Sequence, residues 1–175
     1  MKTDPDEHER SIYAVDDDAN DRLLLQRLLA QPGLEYPIRL FASGEQIIDA
    51  LLGVLRGARG TVPPLACLLD VKMTGMNGFD VLRWIRCQGA LDQVPVIMLS
   101  SAEEPDKVLE AQTIGAQCYI AKFPTAGQLR EVIMAAQRFV EASATHRAFD
   151  LPCNLLVRGA KPPRPMVHFP LIAPA

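Results

Sequence analysis

Four sets of residues, far apart along the chain, carry types that could do metal or phosphoryl chemistry. They are the acidic run Asp16-Asp17-Asp18, then Asp70, then Ser100, then Lys122. Carboxylates offer hard oxygen ligands to a divalent cation and a nucleophile toward phosphorus. A hydroxyl and an ammonium can donate to phosphoryl oxygens. Each set also has an ordinary explanation. The acidic run could be a solvated loop that caps a helix, since aspartate is a favoured cap. Asp70 could be a turn residue ahead of Gly75 and Gly78. One of Ser100 and Ser101 is expected to cap a helix starting near Glu103. Lys122 could be a surface lysine, and Tyr119 a half-buried strand aromatic.

What lifts the four above coincidence is the segment in front of each. Short apolar runs at 11–15, 65–69, 94–99 and 117–121 precede them and read as buried strands. In an open parallel sheet, the carboxyl ends of the strands share one edge, where ligands bind. Residues distant in sequence are therefore predicted to meet in one cleft.

Between those runs the pattern alternates. Strands are expected at 12–15, 37–41, 65–69, 94–99 and 118–121. Helices are expected at 20–31, 43–56, 78–86, 103–114 and 124–140. Leu23, Leu24, Leu28 and Leu29 fall on helical spacing in the first helix, which Pro32-Gly33 stops. Ser43 is expected to cap the second, with Ile47, Ile48, Leu51 and Leu52 inward. Phe79, Leu82 and Ile85 face inward on the third, and Gly115 ends the fourth. Leu129, Val132, Ile133, Ala136 and Val140 share one face of the last. Alternation of this kind predicts an α/β fold, a doubly wound five-stranded parallel sheet with five helices on its two faces.

The chain of 175 residues is 49% apolar and 22% charged, ordinary for a globular protein able to bury a core. Its net charge of −3 is uneven: residues 1–142 hold 14 basic and 20 acidic side chains, while 143–175 hold 4 and 1. The acidic body argues against a nucleic-acid surface. Four cysteines without a C-x-x-C pair, and three histidines, do not suit zinc. Cys67 and Cys118 read as small core residues, and a reducing cytoplasm is the expected setting. The first ten residues read as a polar, flexible arm without a signal region, and no apolar run approaches a membrane span. The body is placed at 11–142. Residues 143–175 contain six of the 14 prolines and read as a basic tail, with apolar stretches at 155–157 and 166–172 that could dock.

Taken together, Val15-Asp16-Asp17-Asp18, the stretch from Leu69 to Gly78, Met98-Leu-Ser-Ser-Ala102, and the stretch from Gly115 to Lys122 resemble the receiver domain of two-component response regulators. The resemblance covers residues 10–142. The wording Asp-Val-Lys-Met and Val-Leu-Arg-Trp-Ile-Arg is most similar to small, output-less regulators paired with phytochrome-type sensor kinases. The resemblance implies a flavodoxin-like fold and Mg²⁺-dependent phosphoryl transfer from a partner's phosphohistidine, on a histidine kinase or a phosphotransfer protein. It implies Asp70 as phosphoacceptor, Asp17 as the direct metal carboxylate with Asp16 in support, and the Lys72 backbone carbonyl as a further metal ligand. It also implies Ser100 as the switch hydroxyl, Lys122 as the phosphoryl-contacting cation and Tyr119 as the aromatic that moves with Ser100. Ser101 and the Lys72 side chain would modulate. Such a chain accepts and loses a phosphoryl group without being a turnover enzyme, and it acts through a downstream protein target.

Three positions depart from the family pattern. Thr74 stands where proline is usual, which loosens the loop but removes no ligand. Asn77 replaces a frequent acidic residue. Phe123 separates Lys122 from Pro124, where the family has lysine followed directly by proline across a cis bond. A cis bond before phenylalanine costs about 3 kcal/mol, so the expectation is a loop shifted by one residue, with Pro124 opening the last helix and Lys122 still reaching the cleft.

Two other functions fit parts of the pattern. An aspartyl-phosphate hydrolase would need an acid near the nucleophile, and Lys72 cannot be that carboxylate. A static receiver-like scaffold would not need the full set of acidic, hydroxyl and lysine residues. The tail is too short and proline-rich for a helix-turn-helix, so output is expected through protein contacts. A homodimer is expected on the face of the fourth helix, fifth strand and fifth helix, through Val108, Leu109, Ile114 and Tyr119.

Overall fold

A computed structural model describes residues 10–34, 36–101 and 104–147. The order along the chain is β1 (Ile12–Val15), α1 (Ala19–Leu29), β2 (Ile38–Phe41), α2 (Gly44–Leu55), β3 (Ala66–Asp70), α3 (Gly78–Cys87), β4 (Val96–Ser100), α4 (Pro105–Ile114), β5 (Cys118–Ala121) and α5 (Ala126–Arg147). One short 3₁₀ turn, Gly89–Leu91, sits before β4. The strands form a single sheet of order β2-β1-β3-β4-β5. Every pairing is parallel. This is the flavodoxin-like, doubly wound arrangement.

The apolar code of the strands explains the layers. Side chains alternate across a strand. Tyr13, Val15, Cys67, Leu69, Val96 and Met98 enter one cluster with Ile47 and Leu51 of α2, Phe79 and Leu82 of α3, and Ala111 of α4. Ile12, Ala14, Ala66, Leu68, Ile97 and Leu99 enter the other, with Leu25 and Leu29 of α1 and Leu129, Ile133 and Ala136 of α5. With both faces covered, β1, β3 and β4 are buried at every position. The edge strands β2 and β5 are only partly buried, which is why β2 can carry Arg39.

Three local expectations need correction. On α1, Leu25 and Leu29 are the buried residues, whereas Leu23 and Leu24 are 47% and 37% exposed. The phase is set by Arg22, on the same face as Leu25 and Leu29, whose Nη1 donates to the carbonyls of Asp16 and Asp17 at 2.7 and 3.0 Å. Neither Ser100 nor Ser101 caps α4. That helix begins at Pro105 behind Glu104, which makes no side-chain cap bond, and proline suits the first helical position. Pro124 does not open α5, which starts at Ala126. Thr125 and Gln128 form a reciprocal cap: Thr125 Oγ1 accepts from Gln128 N at 3.2 Å, and Gln128 Oε1 accepts from Thr125 N at 2.8 Å. The Lys122–Phe123 bond is itself cis, so the expected one-residue shift of the loop does not occur: Phe123 stands directly after the lysine across the cis bond.

α5 continues to Arg147. Residues 141–147 contain no proline or glycine that would stop it. The expected arm through residue 9 and the tail from 148, with its docking stretches, lie outside the described residues. Among the described residues no helix is long and apolar enough to cross a membrane.

Candidate functional site

With order 2-1-3-4-5, the chain leaves β1 toward one edge and then crosses to β3, so the switch in direction falls between β1 and β3. A cleft opens there beyond the carboxyl ends of the strands. Asp16 and Asp17 follow β1, and Asp70 is the last residue of β3. Ser100 ends β4, and Lys122 follows β5. The predicted residues therefore converge on one edge.

The three aspartates of the acidic run do three different things. Asp18 caps α1, accepting from Asn20 N at 2.7 Å and Asp21 N at 3.2 Å. Asp16 turns inward and is 1% exposed. Asp17 reaches across to the loop after β3, where its Oδ2 accepts from Thr74 N at 2.7 Å and Thr74 Oγ1 at 2.8 Å. These two bonds hold the Asp17 carboxyl below the usual carboxylate range.

Lys122 is the centre of the cluster. Its Nζ lies 2.6 Å from Asp16 Oδ2, 3.0 Å from Asp21 Oδ2 and 3.1 Å from Asp70 Oδ1, and its side chain is 6% exposed. Burial works against the ammonium, but its close contacts with the Asp16, Asp21 and Asp70 carboxylates outweigh it and hold the lysine protonated well above its usual range. Burial raises Asp16 and Asp70 above the ordinary carboxylate value, with Lys122 pulling each the other way. Asp70 is 3% exposed, and its Oδ1 also accepts from Lys72 N at 3.3 Å.

The rest of the site is a tight frame. Gly78 opens α3 so close to β3 that an added Cβ would collide with the Asp70 carbonyl oxygen and lie 3.0 Å from its carbon. Asn77 caps the same helix, accepting from Phe79 N and Asp80 N at 2.9 and 3.1 Å. Ser100 is buried at 2% exposure and its carbonyl accepts from Lys122 N at 2.7 Å. Ser101 is exposed beyond the strand. Tyr119 is 7% exposed and packs in the same cluster as Met98 and Ala111. The Lys72 ammonium points outward, 3.7 Å from Glu104. Lys72, Thr74, Asp17 and Lys107 line a cleft beside the acidic cluster.

Asp21 and Thr74 are the site residues that sequence reasoning missed. Asp21 is an acid in the first turn of α1, an ordinary place for one. Thr74 was noticed as a departure from a family pattern, but its bond to Asp17 spans 57 positions, and no local rule predicts such a contact.

The donor set fits a divalent cation. Carboxylate oxygens of Asp16, Asp17 and Asp70 lie within 4.8 Å of one another. Asp16 Oδ2 is fully buried and makes no hydrogen bond of regular geometry, although Lys122 Nζ sits beside it as an ion-pair partner. Counting Asp21, four carboxylates face one ammonium, so the cluster keeps excess negative charge that hard cations relieve.

Fold and site together define a doubly wound α/β protein with an acid-and-lysine cleft at its switch point. The chain belongs to the response regulator receiver domain family, whose pattern matches residues 12–134. It is 30% identical over 126 residues to the sensory/regulatory protein RpfC of Xanthomonas campestris pv. campestris, a match covering 71% of this chain and 16% of that protein. This chain thus corresponds to a small part of that relative's length. Among solved structures, the bacteriophytochrome response regulator RtBRR is 28% identical with a TM-score of 0.62, covering 74% of this chain and 78% of that one. The Mn²⁺-bound form of response regulator Rcp1 matches at 22% identity and a TM-score of 0.58, covering 82% and 99%. The likeness to phytochrome-associated regulators agrees with the wording around Asp70 and Trp84.

Proposed function

We propose that this chain is a response regulator receiver that takes a phosphoryl group onto Asp70 from the phosphohistidine of a sensor kinase or phosphotransfer protein. The observation that supports it is the placement of Lys122 Nζ 3.1 Å from Asp70 Oδ1 within an acidic cluster suited to a cation. Asp16, Asp17, Asp70 and the Lys72 carbonyl would hold Mg²⁺, which when bound draws off charge from the phosphoryl oxygens. An Asp70 carboxylate oxygen attacks phosphorus as the bond from phosphorus to the donor imidazole breaks, leaving a neutral histidine on the partner. Lys122 balances the charge on the transferred group. Ser100, at the end of the neighbouring strand, donates its hydroxyl to a phosphoryl oxygen, and Tyr119 on β5 answers that shift.

Output then runs through protein contact on the face of α4, β5 and α5, in the cytoplasm, with pairing of two copies as one form. Among the four residues expected there, Leu109 is 64% exposed. Val108 and Ile114 pack on the core instead.

Incubation with acetyl phosphate and Mg²⁺, read by intact mass, tests the reading. One added phosphoryl group is expected, absent in Asp70→Asn and absent without the metal. No addition to the wild-type chain refutes phosphoacceptance.

A further inference from the structure

Thr74 makes a contact that the residue usual at this place in the family cannot make. Proline has neither an N–H nor a hydroxyl. Here both groups of Thr74 donate to a single oxygen of Asp17, at 2.7 and 2.8 Å. The two donors fix the rotamer of a carboxylate that is otherwise exposed. Both meet Oδ2, and neither Thr74 donor occupies Oδ1. With this clamp in place, Asp17 offers an oxygen within 4.8 Å of those from Asp16 and Asp70. The contact also joins the loop after β1 to the loop after β3, the two loops that carry the carboxylates.

We infer that Thr74 is a positioning residue that sets the Mg²⁺ affinity of this cleft by holding Asp17 in its ligating orientation. Groups that hydrogen-bond a metal ligand from outside restrict its orientation and tune its basicity, and losing one typically weakens metal binding about 10–100-fold. Oriented ahead of time, Asp17 has less rotamer freedom to lose when the cation arrives. The inference rests on the receiver reading of the site.

The test is calorimetric titration of Mg²⁺ into the metal-free full chain, in wild type, Thr74→Ser, Thr74→Val and Thr74→Pro. Serine keeps both donors and is expected to bind as wild type does. Valine keeps the N–H and the shape but loses the hydroxyl, and about a 10-fold weakening is expected. Proline loses both donors and should bind no better than valine. Urea unfolding without metal serves as control, and the four midpoints should agree, because the Thr74 side chain lies on the surface. Valine and proline variants that bind Mg²⁺ as tightly as wild type, or more tightly, would overturn the inference, the latter showing that the clamp competes with the ion. A wild-type chain that takes up no Mg²⁺ overturns the metal site itself and this inference with it.

Discussion

Lys122→Met removes one positive charge from the most buried charged cluster in the described chain while keeping roughly the same volume. Lys122 lies 2.6 Å from Asp16 and 3.1 Å from Asp70, with exposures of 6%, 1% and 4% for the three side chains. At an effective dielectric constant near 20, a unit pair about 3 Å apart gains roughly 5 kcal/mol before desolvation. Breaking a buried pair by removing one partner costs about 3–5 kcal/mol. The lower end, about 3 kcal/mol, applies here because the stranded carboxyls can each take up a proton. With a urea slope near 2 kcal/mol/M, that is a midpoint lowered by roughly 1.5 M. The pH dependence follows from the shifts. Asp16 and Asp70 already have raised folded-state values. Such groups favour the folded state at low pH and lose that contribution as pH rises through the folded value. Without Lys122 both values rise further. The gap between variant and wild type should therefore be widest near neutral pH and close toward about pH 4, where unperturbed carboxyls titrate. The assay is urea unfolding with a chelator present across that range. A midpoint shift under a third of that size at neutral pH, or a gap that stays constant with pH, would refute the idea that Lys122 neutralises buried carboxylates.

Other substitutions probe the frame and the loop. Gly78→Ala should lower stability by about 1–3 kcal/mol, as overpacking does, because its Cβ would meet the Asp70 carbonyl; thermal unfolding and phosphoryl uptake should fall together. Lys72→Ala should change the lifetime of phosphorylated Asp70 while leaving Mg²⁺ affinity as it was, because its ammonium faces Glu104 at the cleft's rim. A lifetime equal to wild type, measured by loss of the added mass over time, would remove Lys72 from any role in shielding the acyl phosphate.

Much of the fold was legible because buried parallel strands and amphipathic helices leave strong local signatures. The alternation of Tyr13 and Val15 with Ile12 and Ala14, and the runs before Asp70 and Ser100, are properties of consecutive residues. Where a helix starts was less legible. Pro124 offered a helix-start signal, but the structure caps α5 with Thr125 and Gln128 instead. Likewise the phase of α1 could not come from its run of leucines alone, since Arg22 shares the inward face and bonds the carbonyls of Asp16 and Asp17.

The sequence by itself determined which residues could carry charge to the edge of the sheet: an aspartate run, Asp70, Ser100 and Lys122, each behind a strand. Parallel strands with right-handed crossovers bring such positions to one side, so convergence followed from order alone. Only the tertiary structure decided how the charges divide. It sent Asp16 inward, Asp18 to a helix cap and Asp17 to Thr74, and it added Asp21 to the lysine's partners. Hydrogen bonds are short-ranged and directional. Which carboxylate oxygen meets which donor therefore depends on ångström-scale placement of loops from different parts of the chain, and no spacing along the sequence encodes that.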